Sequence, residues 1–238
     1  MDMKVQIRGG LVDLEYPNPK NPKVNISKTV RFEDFCSIIS SNIKKTAAIE
    51  LQPIGLRVVA ESDTHVLVGF ELPERVGTMK FNRGGDSPKE IQSVWPWGIT
   101  FVQFKKDTKG LLFVNMYQFA LRGPLVSLND MMYTWPGSNV FDDARVCTGD
   151  MLIKHVPDIA SSGGFPHLFY NGISNNDLTG GCFKPFSEGS NRIEKPFELF
   201  THLAVKKGEA PKPFPYDILK QHIAAKEFIK CHGFKDPK

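Results

Sequence analysis

Two adjacent strand-forming segments, residues 99–105 and 111–121, constrain the fold of this chain more than any other feature. Both segments are rich in β-branched and aromatic residues, the composition that favours β-strands. Thr108, Lys109 and Gly110 lie between them, and a short polar connection that contains glycine is typical of a β-hairpin. The pattern therefore predicts two antiparallel strands joined by a tight turn.

Further elements are predicted upstream of this hairpin. Residues 48–81 contain alternating and β-branched runs bounded by Gly and Pro, which favour strands. Before them, apolar residues recur at helical spacing in 32–43 and predict a helix that Ser27 or Thr29 caps. Cys36 belongs to this apolar stripe, so we expect it to be a buried thiol of the core.

Downstream of the hairpin, the pattern becomes less regular. Residues 123–149 are rich in Pro, Asn and Asp and predict a long irregular stretch, a feature that is often functional. A short helix or strand is expected within 150–168. Helical spacing returns in 197–204 and again in 218–229, where the expected C-terminal helix is amphipathic and basic.

A flexible polar loop at 82–92 is the best candidate for a domain boundary. We therefore expect a smaller N-terminal helix-and-strand region at 1–86 and a larger domain at 87–238. The predicted fold class is α+β, with an antiparallel sheet and flanking helices in the larger domain.

The composition excludes several classes of protein. The chain has 238 residues, 41% hydrophobic and 24% charged, which is typical of a globular domain. Its four cysteines are far apart and form no C-x-x-C pair, which argues against a disulfide scaffold or a zinc finger. We expect a reducing, cytoplasmic location, no cofactor and no metal. The longest apolar stretch is too short to span a membrane, which requires about 20 residues.

The net charge of +4 comes from the C-terminal end of the chain. Residues 201–238 hold eight lysines against four acidic residues, and the rest of the chain is balanced. A solvated face explains such an excess, and so does a weak contact with an acidic protein or a nucleic acid. Nucleic acid is the less favoured partner, because no interleaved Arg and aromatic pattern accompanies the charge.

Cys147 is the best candidate for a reactive side chain. It follows a polar segment and adjoins Gly149, so we expect the sulfur to be accessible. The thiolate is the nucleophilic form, and a free cysteine has a pKa of about 8.5, which Arg145 would lower. Asn139 could donate an amide N–H to the oxyanion of an acyl transfer. The alternatives are an inert loop thiol and an asparagine that only forms a turn.

Residues 139–141 (Asn-Val-Phe) and 145–147 (Arg-Val-Cys) resemble the active-site segment of ubiquitin-conjugating enzymes. In that family an asparagine precedes the catalytic cysteine by eight positions, which is the spacing found here. The chain is similar to the divergent prokaryotic branch that includes protein B of the PRTRC plasmid system. The resemblance is close over 135–149 and loose over 95–182, and Gly-Ser at 137–138 stands where the family has His-Pro.

This resemblance implies a ubiquitin-conjugating-enzyme-like fold for residues 87–238. It implies that Cys147 accepts a ubiquitin-like modifier as a thioester from an activating-enzyme-like protein and transfers it to an amine of a protein substrate. Asn139 would stabilise the oxyanion. Asp177, thirty positions after Cys147, would orient or deprotonate the amine.

Two other functions remain open at the level of sequence. The same fold would serve as a catalytically silent adaptor if Cys147 were inaccessible. The aromatic-rich strands, in a chain with 18 phenylalanines, would also suit a structural or virion assembly protein.

Other reactive groups are weaker candidates. Cys147 with His155 or His167 would form a Cys–His hydrolase pair, but no local protease motif supports it. Cys182 has glycine neighbours and is either a second reactive thiol or, in the favoured interpretation, a buried one. Cys231 and the histidines near it are too sparse for a metal site.

Overall fold

The computed structural model of this protein describes residues 4–8, 11–18, 21–31, 50–51, 55–82, 87–149, 155–175, 178 and 182–234. The chain divides into two compact units, Met1–Thr46 and Ala47–Lys238. This division differs from the predicted parts 1–86 and 87–238. Strands that lie before and after residue 86 pair with each other in one sheet of the second unit, because strand pairing joins segments that are distant in sequence.

Among the described residues, the first unit forms a three-stranded antiparallel sheet of β1 (Lys4–Arg8), β2 (Leu11–Asn18) and β3 (Asn21–Arg31). Asp13 pairs in register with Thr29, whose hydroxyl donates a hydrogen bond to Asp13 Oδ1 at 2.6 Å. The predicted helix cap is wrong, because Ser27 and Thr29 lie within β3. The other residues of that predicted helix, 32–43 with Cys36, lie outside the described residues.

The second unit combines strands with short helices. Its strands are β4 (Glu50–Leu51), β5 (Gly55–Glu61), β6 (His65–Leu72), β7 (Arg75–Phe81), β8 (Lys89–Trp95), β9 (Gly98–Asp107), β10 (Gly110–Ala120), β11 (Met131–Thr134), β12 (His155–Val156), β13 (Ile173–Ser174), β14 (Phe186–Glu188), β15 (Asn191–Ile193) and β16 (Gln221–Ala224). Its helices are α1 (Phe165–Tyr170), α2 (Pro196–His202) and α3 (Ala225–Cys231), with 3-10 turns at Ala160–Gly164 and Tyr216–Ile218. These elements confirm the predicted α+β class.

Within the described residues, none of the helices has the length and apolar character needed to cross a membrane.

The predicted hairpin is confirmed and lies in the middle of the main sheet as β9 and β10. The strand order is β16-β11-β10-β9-β6-β5-β4, and neighbouring strands are antiparallel. At the hairpin turn, Asp107 Oδ1 accepts a hydrogen bond from the Thr108 N–H at 2.6 Å. Gly110 has a φ of +119°, and a Cβ there would lie 2.5 Å from the Val156 carbonyl oxygen. The turn therefore requires glycine at this position.

Apolar side chains cover both faces of the main sheet. Phe101 and Phe104 of β9 point to opposite faces, because side chains alternate along a strand. Phe101 packs against Phe228 of α3 with ring centres 4.9 Å apart, and Phe104 packs against Phe165 of α1 at 5.3 Å. The sheet is therefore buried between α3 on one side and α1 on the other.

A second sheet extends the structure beside the first. In it β7 and β8 are antiparallel, and β13 pairs parallel to β7. The loop predicted at 82–92 is wrong at its end, because residues 89–92 belong to β8, and residues 83–86 lie outside the described residues. This sheet places β13, which follows α1 in the chain, next to β7.

The C-terminal half differs from its prediction in several places, and one of them is β11, which lies within the stretch predicted to be irregular. The helix predicted over 197–204 is present as α2. The helix predicted over 218–229 is confirmed only from Ala225, because Gln221–Ala224 form β16 and pair with the edge strand β11. The pairing with β11 gives the backbone N–H and C=O groups of this segment hydrogen-bond partners on a neighbouring strand, in place of partners within a helix.

Candidate functional site

The segment that contains Cys147 is a compact loop closed by backbone hydrogen bonds. The Cys147 N–H donates to the Asn139 carbonyl at 2.8 Å, and Val140 and Val146 form an antiparallel bridge. Asn139 has a φ of 63° and Ala144 a φ of 65°. Asparagine is one of the few residues that often adopts this left-handed conformation, so the backbone of Asn139 agrees with its turn-forming interpretation.

Strand β10 fixes this loop in place. The Val146 N–H donates to the Met116 carbonyl at 2.7 Å, and the Gln118 N–H donates to the Ala144 carbonyl at 2.9 Å. Val146 is buried, whereas the next residue, Cys147, is exposed. Successive side chains of an extended segment point to opposite sides, so the burial of Val146 directs the Cys147 thiol outward.

Arg145 is engaged with neighbours in the same loop. Its Nε lies 3.6 Å from Asp143 Oδ2, and its guanidinium lies 5.1 Å from the centre of the Phe141 ring. The sequence suggested that the positive charge of Arg145 favours the Cys147 thiolate. In the structure this charge also pairs with the Asp143 carboxylate.

A cavity of about 460 Å³ lies beside Cys147, and both Cys147 and Asn139 line it. Its apolar walls are Met116, Val146, Leu168, Phe169 and Ile173. Its polar side chains are those of Asn139, Cys147 and Thr148. Among the residues that the structure describes, no charged side chain lines this cavity. The site is thus a thiol and an amide at an uncharged, largely apolar surface.

The side chain of Asn139 has a structural partner in the cavity wall. Its Nδ2 donates a hydrogen bond to the Ile173 carbonyl oxygen at 2.8 Å, which ties the Cys147 loop to β13. A primary amide has two N–H groups, so Asn139 retains a second donor for a group bound in the cavity.

A buried polar network positions α1, which supplies Leu168 and Phe169 to the cavity. Gln118 Nε2 donates to Tyr170 Oη at 3.0 Å, and Thr100 Oγ1 donates to Gln118 Oε1 at 2.5 Å. Burial raises the pKa of Tyr170, so its hydroxyl stays protonated. The network fastens the end of α1 to β9 and β10.

Cys182 is a buried thiol. It is 6% exposed, and its Sγ donates to the Pro136 carbonyl at 3.8 Å. Burial raises the pKa of Cys182 to about 11, which keeps the thiol protonated at neutral pH. The favoured interpretation of Cys182 as a buried residue is confirmed, and Cys147 and Cys231 are the exposed thiols among the described cysteines.

The histidines suggested as partners of Cys147 are not among the described residues that line the cavity. His155 Nε2 lies 3.1 Å from Asp107 Oδ2 and lowers the pKa of that carboxyl group. His155 pairs with Leu112, which is four residues along β10 from Met116, or about 13 Å at the usual rise per residue. His167 is exposed on α1 and is not among the described lining residues. In the described part of the chain, no group of three His, Cys, Asp or Glu side chains could hold a metal ion.

Two of the three predicted site residues are thus brought together, and the third is not placed. Cys147 and Asn139 line one cavity, whereas Asp177 lies outside the described residues. The apolar wall was missed by sequence reasoning. Its residues come from β10, α1 and β13, and nothing in their local pattern separates a cavity wall from a core.

No protein-family model, curated protein or solved structure matches this chain. The roles of Cys147 and Asn139 therefore rest on the geometry of the cavity and on the motif that the two residues form.

Proposed function

We propose that this protein carries an acyl group as a thioester on Cys147 and transfers it to an amine. One observation carries the proposal: the Cys147 thiol is exposed at a cavity that Asn139 also lines. A nucleophilic thiol requires access, and acyl transfer requires a hydrogen-bond donor for the oxyanion. Cys147 and Asn139 supply these two groups.

The transfer has two steps. The Cys147 thiolate attacks the carbonyl carbon of a donor thioester, and the second N–H of Asn139 donates to the oxyanion that forms. The carbon–sulfur bond to the donor then breaks, and the donor thiolate takes up the proton that Cys147 released. In the second step an amine attacks the Cys147 thioester, a carbon–nitrogen bond replaces the carbon–sulfur bond, and Asp177 accepts the proton of the amine.

The identity of the acyl group follows from the resemblance to ubiquitin-conjugating enzymes. We assign to this protein a ubiquitin-like modifier, an activating-enzyme-like partner and a protein substrate. A ubiquitin-conjugating-enzyme-like fold is part of the same proposal. Its support is the order of elements: the antiparallel strands β5, β6, β9 and β10 precede the Asn139–Cys147 loop, and α1 follows it.

The test is a thioester assay with the full chain, an activating-enzyme-like protein and a ubiquitin-like modifier encoded beside it. We expect an adduct that a reducing thiol removes, that Cys147→Ala abolishes, and that becomes resistant to reduction in Cys147→Ser. Cys182→Ala is the matched control and should leave the adduct intact. If wild type and Cys147→Ala give the same result, the proposal is wrong.

The role of Asn139 is tested with a variant that removes its side-chain amide and keeps its backbone conformation. Asn139→Gly keeps the left-handed backbone, because glycine adopts it without strain, and removes the amide. We expect this variant to lower the rate of thioester formation by about 10²–10³, the usual effect of removing one oxyanion donor. An unchanged rate in the folded variant would limit Asn139 to its structural bond with Ile173.

A silent adaptor is the second candidate, and one observation favours it. The left-handed turn at Asn139 and the bond from its Nδ2 to Ile173 account for this asparagine without any catalysis. An adaptor would bind the modifier with equal affinity in wild type and Cys147→Ala and would form no adduct with either.

A further inference from the structure

The composition of the cavity beside Cys147 indicates which acyl groups fit it. Its walls are apolar, and no charged side chain lines it among the described residues. We infer that the acyl group accepted by Cys147 is the end of a peptide whose side chains near the reacting carbonyl are uncharged and apolar. This inference rests on the thioester chemistry proposed above and adds the substrate class.

Apolar side chains at the cavity are partly exposed in the free protein. Leu168 is 40% exposed and Ile173 is 51% exposed, and both contribute to the wall. Covering exposed apolar surface is favourable, so an apolar donor side chain that covers these two residues gains binding energy.

Charged donor side chains lack a partner in this cavity. A lysine or glutamate side chain placed there would lose water, and the described lining residues would offer it apolar groups, an amide, a hydroxyl and the thiol. Among the described residues, Arg145 and Asp143 are the charged residues nearest to Cys147 in sequence, and they pair with each other at 3.6 Å. The described walls of the cavity therefore offer no partner to a donor side chain of either sign.

The size and polar groups of the cavity suit a peptide end. Its volume of about 460 Å³ falls in the range of ligand pockets, which is about 300–1,000 Å³. The amide oxygen of Asn139 and the Thr148 hydroxyl offer hydrogen bonds to peptide groups, while the walls contact the side chains. An end that consists of small residues alone would leave this apolar wall uncovered.

The test uses small thioesters that differ in one side chain. The full chain is incubated with acetyl-Leu-Gly, acetyl-Lys-Gly and acetyl-Glu-Gly thioesters of a common thiol, and peptide mapping by mass spectrometry measures acylation at each cysteine. Cys231 is exposed and serves as the internal reference for intrinsic donor reactivity. We expect the ratio of Cys147 to Cys231 acylation to be about tenfold higher for the Leu donor than for either charged donor.

A charge placed in the wall should change the preference. Ile173→Lys is expected to make the Glu donor the best of the three, and Leu168→Lys should act in the same direction. Both side chains are exposed enough to accept the substitution without disturbing the core. Val126→Lys is the matched control: Val126 is 68% exposed, is not a lining residue and should leave the preference unchanged.

The outcomes separate this inference from the function on which it rests. Equal Cys147 to Cys231 ratios for the three donors, or a higher ratio for a charged donor, would overturn the inference and leave the thioester chemistry intact. Acylation of Cys147 that never exceeds that of Cys231 with any donor would overturn both.

Discussion

Glu71 forms the buried charged contact that we expect to matter most for the stability of the second unit. It lies in β6 with 0% exposure. Its Oε1 accepts hydrogen bonds from the Trp97 Nε1–H at 2.6 Å and the Leu125 N–H at 3.0 Å, and its Oε2 forms an ion pair with Arg57, 3.1 Å from Nε. Arg57 Nε also donates to the Leu125 carbonyl at 2.9 Å. The network therefore joins β5, β6 and the loop that follows β10.

The cost of removing this carboxylate follows from what is left behind. Glu71→Ala removes the acceptor of two N–H groups and the ion-pair partner of Arg57, and breaking a buried ion pair typically costs about 3–5 kcal/mol. We expect a value near 3 kcal/mol, because the Arg57 side chain is 17% exposed and keeps its bond to Leu125. Glu71→Gln retains an oxygen for the two neutral donors, so its cost should be smaller, about 1.5–3 kcal/mol.

Urea unfolding followed by tryptophan fluorescence measures these costs, because all three tryptophans lie in the second unit. Glu61→Ala is the matched control. Glu61 lies on the neighbouring strand β5 and pairs with Lys106 at 2.5 Å, but it is exposed, so its loss should cost at most about 1 kcal/mol. If Glu71→Ala costs no more than Glu61→Ala, the reasoning about the buried network is wrong.

Three further predictions concern a thiol, a turn and a buried hydroxyl. Alkylation of the native protein at pH 7 should be roughly 100-fold slower at Cys182 than at an ordinary thiol, because its raised pKa of about 11 reduces the reactive thiolate. Peptide mapping measures this against exposed Cys231, and equal rates would contradict the burial. Gly110→Ala should lower stability by about 1–3 kcal/mol, because its φ is positive and a Cβ would approach a backbone carbonyl. Gly123→Ala, where a Cβ meets open space, is its control in thermal unfolding. Tyr170→Phe should lower the free energy of unfolding by about 1–2 kcal/mol, because the buried side-chain amide of Gln118 loses the hydroxyl that accepts its hydrogen bond. An unchanged midpoint in urea unfolding would refute this.

The central hairpin could be predicted because its signals are local. Strand composition in 99–105 and 111–121 and a short polar turn are sufficient to specify β9 and β10. Ser27 and Thr29 were misjudged because serine and threonine cap helices and threonine also favours strands, so the local pattern allowed both. Pairing with β2 decided the outcome.

For β16 too, pairing with a distant strand decided the secondary structure, and the local sequence did not. Residues 221–224 continue an apolar pattern that suits the helix predicted there, and the helix begins only at Ala225. This segment pairs with β11 at the edge of the sheet and therefore forms a strand. No property of 221–224 alone identifies that edge, because β11 lies about ninety residues earlier in the chain.

The candidate site divides in a similar way. The sequence by itself indicated that Asn139 and Cys147 act at one site, because their spacing of eight positions resembles that in ubiquitin-conjugating enzymes. It also singled out Cys147 among the cysteines. The exposure of this thiol beside a largely apolar cavity, and the burial of Cys182, were decided only by the tertiary structure. Apolar residues of β10, α1 and β13 look alike in sequence, and whether they fill a core or line a cavity depends on which distant segments pack against them.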